Sequence, residues 1–352
     1  MIKRATQSLL GSAAAAVDRM ATAYATAGRR RNRAESLSHM ERMTALERLA
    51  ELYTPFEADG LFRTARPIVP EWQRVRRLDD GGDVLDLRWP SDYQTLIPEL
   101  DDRYHRHVAN HRAAARVWLH PEPRPAIVLI HGYMAGHHAF EERAWPTSWL
   151  YRIGLDIALF VLPFHGLRAR SKTGPPAFPA ADPRVTIEGF RQTMADLRDL
   201  FGWLEARGCP STGVMGMSLG GYTSALAATV HDELAFVIPV IPLASSADFA
   251  RDHGRLASSS DERALEHAAL EQVYRLVSPL HRAPVIERER VLVIGAEHDH
   301  ITHITQAERL AAHFGVPLTR WQGGHLLQLW RTPAFRRVGR FLGDLGMLPP
   351  RA

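Results

Sequence analysis

Cysteine is almost missing from this sequence: Cys209 stands alone, so no internal disulfide can form. A chain without disulfides suits a reducing compartment, and a cytoplasmic protein is expected, with export as the alternative. Long hydrophobic runs are missing too. No stretch reaches the ~18 uninterrupted apolar residues of a membrane-spanning helix, so no membrane span is expected. An excess of one charge is also lacking. The 43 basic and 39 acidic residues leave a net +4, which is too small to call for a nucleic-acid partner. The basic run GRRRNR at 28–33 is local and reads as a solvated linker. The start, MIKRATQSLLGSAAAAVDRM, has alanine where a signal peptide needs a firmer apolar centre, and reads as an ordinary helix.

What is present fits a globular protein. Hydrophobic residues make up 45% of the 352 and charged ones 23%, and that length suits a large α/β domain with an added segment. From Ser36 to Tyr53, Leu37, Met40, Met43, Leu46, Leu49 and Leu52 recur every third residue, the period of an amphipathic helix. Ser38 and Glu41 have the spacing of a capping box at its start. Residues 1–74 are therefore expected to be an N-terminal helical extension, and 75–352 the main domain.

After residue 75, strands and helices alternate. VLDLRW (84–89), ARVWLH (115–120), AIVLI (126–130), DIALFVLP (156–163), TGVMGM (212–217), LAFVIPVIPL (234–243) and RVLVIGA (290–296) read as strands. Helices are expected over 186–208, over 219–230 and from Thr332 onward. Continuous apolar strands separated by helices imply a mostly parallel sheet covered on both faces. Residues 245–289 interrupt the pattern with polar, helical material and are a possible cap or lid.

Chemistry is concentrated in four places. GVMGMSLGGY (213–222) sets Ser218 in a Gly-x-Ser-x-Gly turn between strand and helix, which holds a serine out above a sheet. Its hydroxyl needs a base, and LTRWQGGHLLQLW supplies His325 late in the chain. The histidine in turn needs a carboxylate. RVLVIGAEHDHITH offers Asp299 four residues after Gly295, with Glu297 as the rival in the same loop and Asp248 a more distant one. Glu297, His298, Asp299, His300 and His303 put five ligand-type side chains within seven residues. An irregular loop lacks the fixed spacing of a metal site, so no metal and no cofactor are expected. In AIVLIHGYMAGHHAF, the buried strand runs into His131 and Gly132, where a backbone amide can turn toward the serine. The amides of Leu219 and Tyr133 are the expected oxyanion donors, with Met134 the fallback. His131 is expected to support that loop by hydrogen bonding, while His137 and His138 receive no role.

With these pieces in the order oxyanion loop, serine, acid, histidine, the chain resembles the α/β-hydrolase superfamily over about residues 80–345. The resemblance rests on HGYM, GMSLGG, GAEHD and GGH, and LPFHGLRARS is similar to the loop after the family's fourth strand. It implies an α/β-hydrolase fold, a triad of Ser218, Asp299 and His325, and oxyanion donors at Tyr133 and Leu219. The GxSxGG form looks most like the esterases, lipases, thioesterases and acyl-peptide-cleaving members. Serine rather than aspartate at the turn argues against the haloalkane dehalogenase and epoxide hydrolase branches. The expected function is cleavage of a carboxylic ester or thioester through an acyl-enzyme, with a small-molecule acyl ester as substrate. Acyl transfer, peptide cleavage on the same triad and a non-enzymatic binding module are the alternatives. Met134, Phe164, Met217, Trp321 and Leu326 lie beside the motifs as candidate acyl-pocket residues.

Overall fold

The computed structural model describes residues 18, 38–56, 60–171, 174–328 and 331–349. The expected alanine-rich helix before Asp18 and the basic run at 28–33 lie outside the described residues.

Among the described residues one sheet gathers nine strands. They are β1 (Glu71–Arg77), β2 (Asp83–Pro90), β3 (Arg112–Leu119), β4 (Ala126–Ile130), β5 (Asp156–Phe160), β6 (Thr212–Met217), β7 (Val237–Val240), β8 (Ile294–Ala296) and β9 (Thr319–Trp321). Their order across the sheet is β1-β2-β3-β5-β4-β6-β7-β8-β9. The pairings from β1 to β5 are antiparallel, and those from β5 to β9 are parallel.

Successive side chains of a strand face opposite sides, and here both sides are buried. Ala126, Val128 and Ile130 of β4 enter one apolar cluster, while Ile127 and Leu129 enter the other. The helices that cover them are α1 (His39–Tyr53), α2 (Pro98–His105), α3 (His138–Ala144), α4 (Thr147–Arg152), α5 (Pro183–Ala206), α6 (Leu219–Ala227), α7 (Ser246–Asp252), α8 (Ser260–Tyr274), α9 (Ile304–Phe314) and α10 (Thr332–Asp344). Residues of α5, α6 and α9 fill the first cluster; residues of α4 and α10 fill the second. Double coverage explains the charge-free strand sequences. No helix among the described residues is long and apolar enough to cross a membrane.

Several boundaries differ from the sequence expectation. Helix α1 begins at His39, with Ser38 as its cap and a reciprocal bond from the Ser38 amide to Glu41. The apolar runs 234–243 and 290–296 are paired as strands only over Val237–Val240 and Ile294–Ala296. Strands β1 and β9 and helices α2, α3, α4 and α9 have no counterpart among the expected elements. Residues 245–289 carry α7 and α8, and α8 receives α1 as its partner. There the buried carboxylate of Glu266 takes His39 Nδ1 and Arg42 Nη2, both at 3.0 Å, while its other oxygen accepts from the Ala257 amide at 2.8 Å.

A buried polar knot fixes the loop after β5. Arg168 is fully buried, faces Asp196 of α5 at 2.8 Å, and donates to the Val161 and Asn110 carbonyls. Asn110 Oδ1 in turn accepts from the Phe164 amide at 3.1 Å. Burial pushes the Asp196 carboxyl up, against the pull of Arg168 and Ser91. Removing the cation strands a buried acid, so Arg168→Met is expected to lower unfolding free energy by about 3–5 kcal/mol. Denaturant titration of both proteins checks this.

Candidate active site

Register assembles the candidate site at the carboxyl ends of the parallel strands. Ile130 of β4 pairs with Gly216 of β6, so Gly132 and Ser218 each lie two residues further along. A Cβ built on Gly132 would sit 3.4 Å from Ser218 Cβ. Ala296 of β8 pairs with Trp321 of β9, and the loops beyond them run side by side. The Glu297 amide donates to Trp321 O at 2.8 Å, and that of His298 to Gly323 O at 3.0 Å. Asp299 and His325 lie on these two loops.

Ser218 sits at φ 59°, ψ −112° between β6 and α6. Its amide donates to Val240 O at 3.0 Å, and its carbonyl accepts from the Tyr222 and Leu243 amides. The turn closes only because side chains are absent beside it. A Cβ at Gly216 would run into the Gly220 carbonyl, and one at Gly220 into the Ile130 carbonyl. Leu219, buried at 3% exposure, is the first residue of α6. The leading amides of a helix lack intrahelical acceptors and carry the positive end of its dipole. Strain gathers in this neighbourhood: among the described residues, four of the five non-glycine positive φ values belong to Met134, Phe164, Ser218 and Ile241. Such conformations persist where surrounding structure enforces them, and they cluster at functional sites.

His325 is 9% exposed and Asp299 5%. His325 Nδ1 lies 2.7 Å from Asp299 Oδ2. Asp299 Oδ1 accepts from the Ile301 and Thr302 amides at 2.8 and 2.7 Å, and Thr302 Oγ1 donates to Oδ2 or to Ile241 O. An anchored carboxylate opposite Nδ1 keeps the proton there, which leaves Nε2 bare. Burial alone would lower the His325 pKa; the charge and hydrogen bond of Asp299, joined by the charge of Asp18, outweigh it and raise the pKa. The amide of Gln328 latches this loop beside the serine turn, with Nε2 2.8 Å from Met217 Sδ and 3.3 Å from His325 O.

The rival acids point elsewhere. Glu297 pairs with Arg320. Asp248 faces His267, Arg251 and Arg309. Among the described residues, Asp248, His267 and Glu271 bring ligand-type atoms within 4.8 Å of one another. Two guanidiniums, those of Arg251 and Arg309, already pair with the Asp248 carboxylate.

His131 is buried and acts on the loop it begins. Its Nε2 accepts from the Leu162 amide at 3.1 Å, so Nδ1 carries the proton and donates to Gly132 O at 2.7 Å. Burial first, then the neighbouring His165, holds its pKa well below the ordinary histidine value. His165 packs against it, and burial pushes that imidazole down to about 4. Two neutral rings thus support the backbone around Gly132. His138 pairs with Asp86, away from the serine.

A cavity of about 310 Å³ opens beside Tyr133 and Phe164, with Tyr104, His107, Pro179 and Val185 in its walls. Of the five apolar residues expected to form an acyl pocket, Phe164 lines this cavity, whose walls do not include Ser218 or His325, and Met217 packs partly buried against the second core cluster. Trp321 is instead buried in the second core cluster, and Met134 and Leu326 are 64% and 52% exposed. The segment 175–185, which supplies much of the wall, carries no motif and was invisible to sequence reasoning. Asp18 was missed as well; its only signal is a lone acid at the end of an alanine-rich stretch.

The family model described as Alpha/beta hydrolase domain containing 18 matches residues 106–320, more than half of the chain. The chain belongs to this alpha/beta hydrolase family. An uncharacterized protein of Mycobacterium tuberculosis (strain ATCC 25618 / H37Rv) is 31% identical over 252 residues, which are 70% of this chain and 60% of that protein's length. In fold, the family member is similar to an acetyl xylan esterase from Paenibacillus sp. R4, with TM-score 0.53, 17% identity, and coverage of 84% of this chain and 92% of the esterase. It is likewise similar to acetyl xylan esterase 1 from Thermoanaerobacterium sp. JW/SL YS485, with TM-score 0.52, 15% identity, and coverage of 87% and 93%. At these identities the likeness is one of fold. The α/β-hydrolase fold read from the motifs is therefore the fold of the protein.

Proposed function

We propose that this α/β-hydrolase is a serine hydrolase that cleaves a carboxylic ester or thioester through an acyl-enzyme. One arrangement carries the reading: a serine on a strained strand-to-helix turn, beside a loop whose histidine is hydrogen-bonded at Nδ1 to a buried, doubly anchored aspartate. In this reading Ser218 Oγ attacks the acyl carbonyl as His325 Nε2 takes its proton. The amides of Leu219 and Tyr133 receive the oxyanion, each such donor lowering the barrier by about 2.7–4 kcal/mol. His325 then protonates the leaving group, and water activated by the same ring releases the acid. Two acetyl xylan esterases of the same fold lend support to an ester as the substrate.

The test pairs a fluorophosphonate probe with p-nitrophenyl esters and acyl thioesters of graded chain length, each with and without an added alcohol. Ester turnover together with labelling at Ser218 is expected. An ester of the added alcohol in place of free acid would make the protein a transferase, and an unlabelled folded protein would make it a binding module. The raised His325 pKa sets a further expectation. The ring must be neutral to act as base, so kcat/KM should climb with pH through an ionisation above the ordinary value of 6.5. A pH profile that is flat there would remove His325 from the role.

A further inference from the structure

One contact joins the far N-terminus to the candidate catalytic loops. The Asp18 side chain is fully buried. Its Oδ2 accepts from the His325 amide at 2.7 Å and the His300 amide at 3.4 Å, and its Oδ1 accepts from the Leu326 amide at 3.0 Å. His300 follows Asp299, and Leu326 follows His325. A single carboxylate, 282 residues from His300 and 307 from His325 in sequence, therefore clasps the backbones of the acid loop and the histidine loop together. We propose that Asp18 is a positioning residue for the reaction: it fixes the separation of Asp299 and His325 through their backbones and adds a second negative charge beside the imidazole.

The physical case has two parts. Buried backbone amides need acceptors, and charge-assisted bonds to a carboxylate are the stronger kind. Without Asp18 these amides must find other partners, and the loops that carry the acid and the base are free to drift. Small misplacements of this kind lower rate about 100-fold. The second part is charge. The ionised groups acting on the His325 ring are Asp299 and Asp18. Glu297 is turned onto Arg320, Arg331 donates to the Ala144 carbonyl, and His131 across the site is held neutral. Removing the Asp18 charge should make the imidazolium easier to deprotonate, while the Asp299 hydrogen bond remains.

This inference rests on the serine-hydrolase reading for its kinetic test and on geometry for its spectroscopic one. Full-length D18A is expected to lose about 10- to 100-fold in kcat with KM little changed. Full-length D18N removes the charge and keeps one of the two acceptor oxygens, which can still serve the His325 and His300 amides while its NH₂ faces the Leu326 amide. Its kcat should therefore fall less, while the acidic limb of kcat/KM moves to lower pH. The ¹⁵N-histidine resonance of His325, assigned by its loss in H325Q, should titrate at correspondingly lower pH in D18N. If D18A fails to fold, the D18N titration decides alone. An unchanged His325 titration in D18N, or a D18A enzyme whose only defect is a lower Tm, would overturn the proposal. A shifted titration in a protein that fluorophosphonate never labels would keep Asp18 in its place and end the hydrolase reading instead.

Discussion

Ser218→Ala should reduce kcat on any accepted ester by on the order of 10⁵–10⁶-fold and abolish fluorophosphonate labelling. The argument separates what the serine backbone does from what its hydroxyl does. The turn is held by main-chain bonds: the Ser218 amide to Val240 O, and the Tyr222 and Leu243 amides to Ser218 O. Alanine keeps all of them, and it meets the same φ of 59° with a Cβ of the same kind. The thermal midpoint is thus expected to stay close to that of the parent protein, so lost turnover can be assigned to the missing Oγ. Steady-state kinetics on the ester panel, run beside a thermal melt, gives both numbers. Turnover surviving intact in S218A would mean that another group attacks the carbonyl.

Asp299→Asn should lower kcat by about 10⁴-fold with little loss of structure, and the reason lies in which way the new amide must point. Asp299 Oδ1 accepts from the Ile301 and Thr302 amides. Asparagine can satisfy those two donors only with its carbonyl oxygen, which turns its NH₂ toward His325 Nδ1. A donor there forces Nδ1 to accept and moves the ring proton to Nε2, the nitrogen that must be bare to take the serine proton. Loss of the carboxylate also removes the charge that does most to raise the His325 pKa against burial, so residual activity should persist to lower pH than in the parent. Rates for D299N across a pH series measure both effects. A loss smaller than about tenfold would show that the ring draws its orientation from another acid.

The parts of this protein that were readable in sequence are those where local chemistry and global position coincide. The strands β4 and β6 are apolar at every turn of the chain because both sheet faces are covered, and their limits match the runs AIVLI and TGVMGM. The turn at Ser218 was readable because Gly216 and Gly220 have no tolerable substitute there. Elsewhere the same logic misleads. LAFVIPVIPL is buried over most of its apolar length, with Ala235 and Leu243 partly exposed, but burial is a weaker condition than ladder pairing, and only four of its residues pair. Strand β1, EWQRVRR, is almost wholly exposed at the sheet edge; charges there blunt an open edge and erase the alternation that would reveal a strand. The cavity wall at 175–185 and the clasp of Asp18 were hidden for a different reason: both depend on distant segments meeting, and neither leaves a local pattern.

The knot at Glu266 has a mechanical consequence. By holding His39 and Arg42 on a carboxylate that is only 2% exposed, it welds α1 and α8 into one lever. A shift of α8 therefore strains its bonds to α1, while His267 and Glu271 of the same helix hold it to Asp248 and Ser245. A shortened chain begun at β1 would remove both cations from the buried Glu266 carboxylate and leave α8 held by its remaining bonds to Asp248 and Ser245.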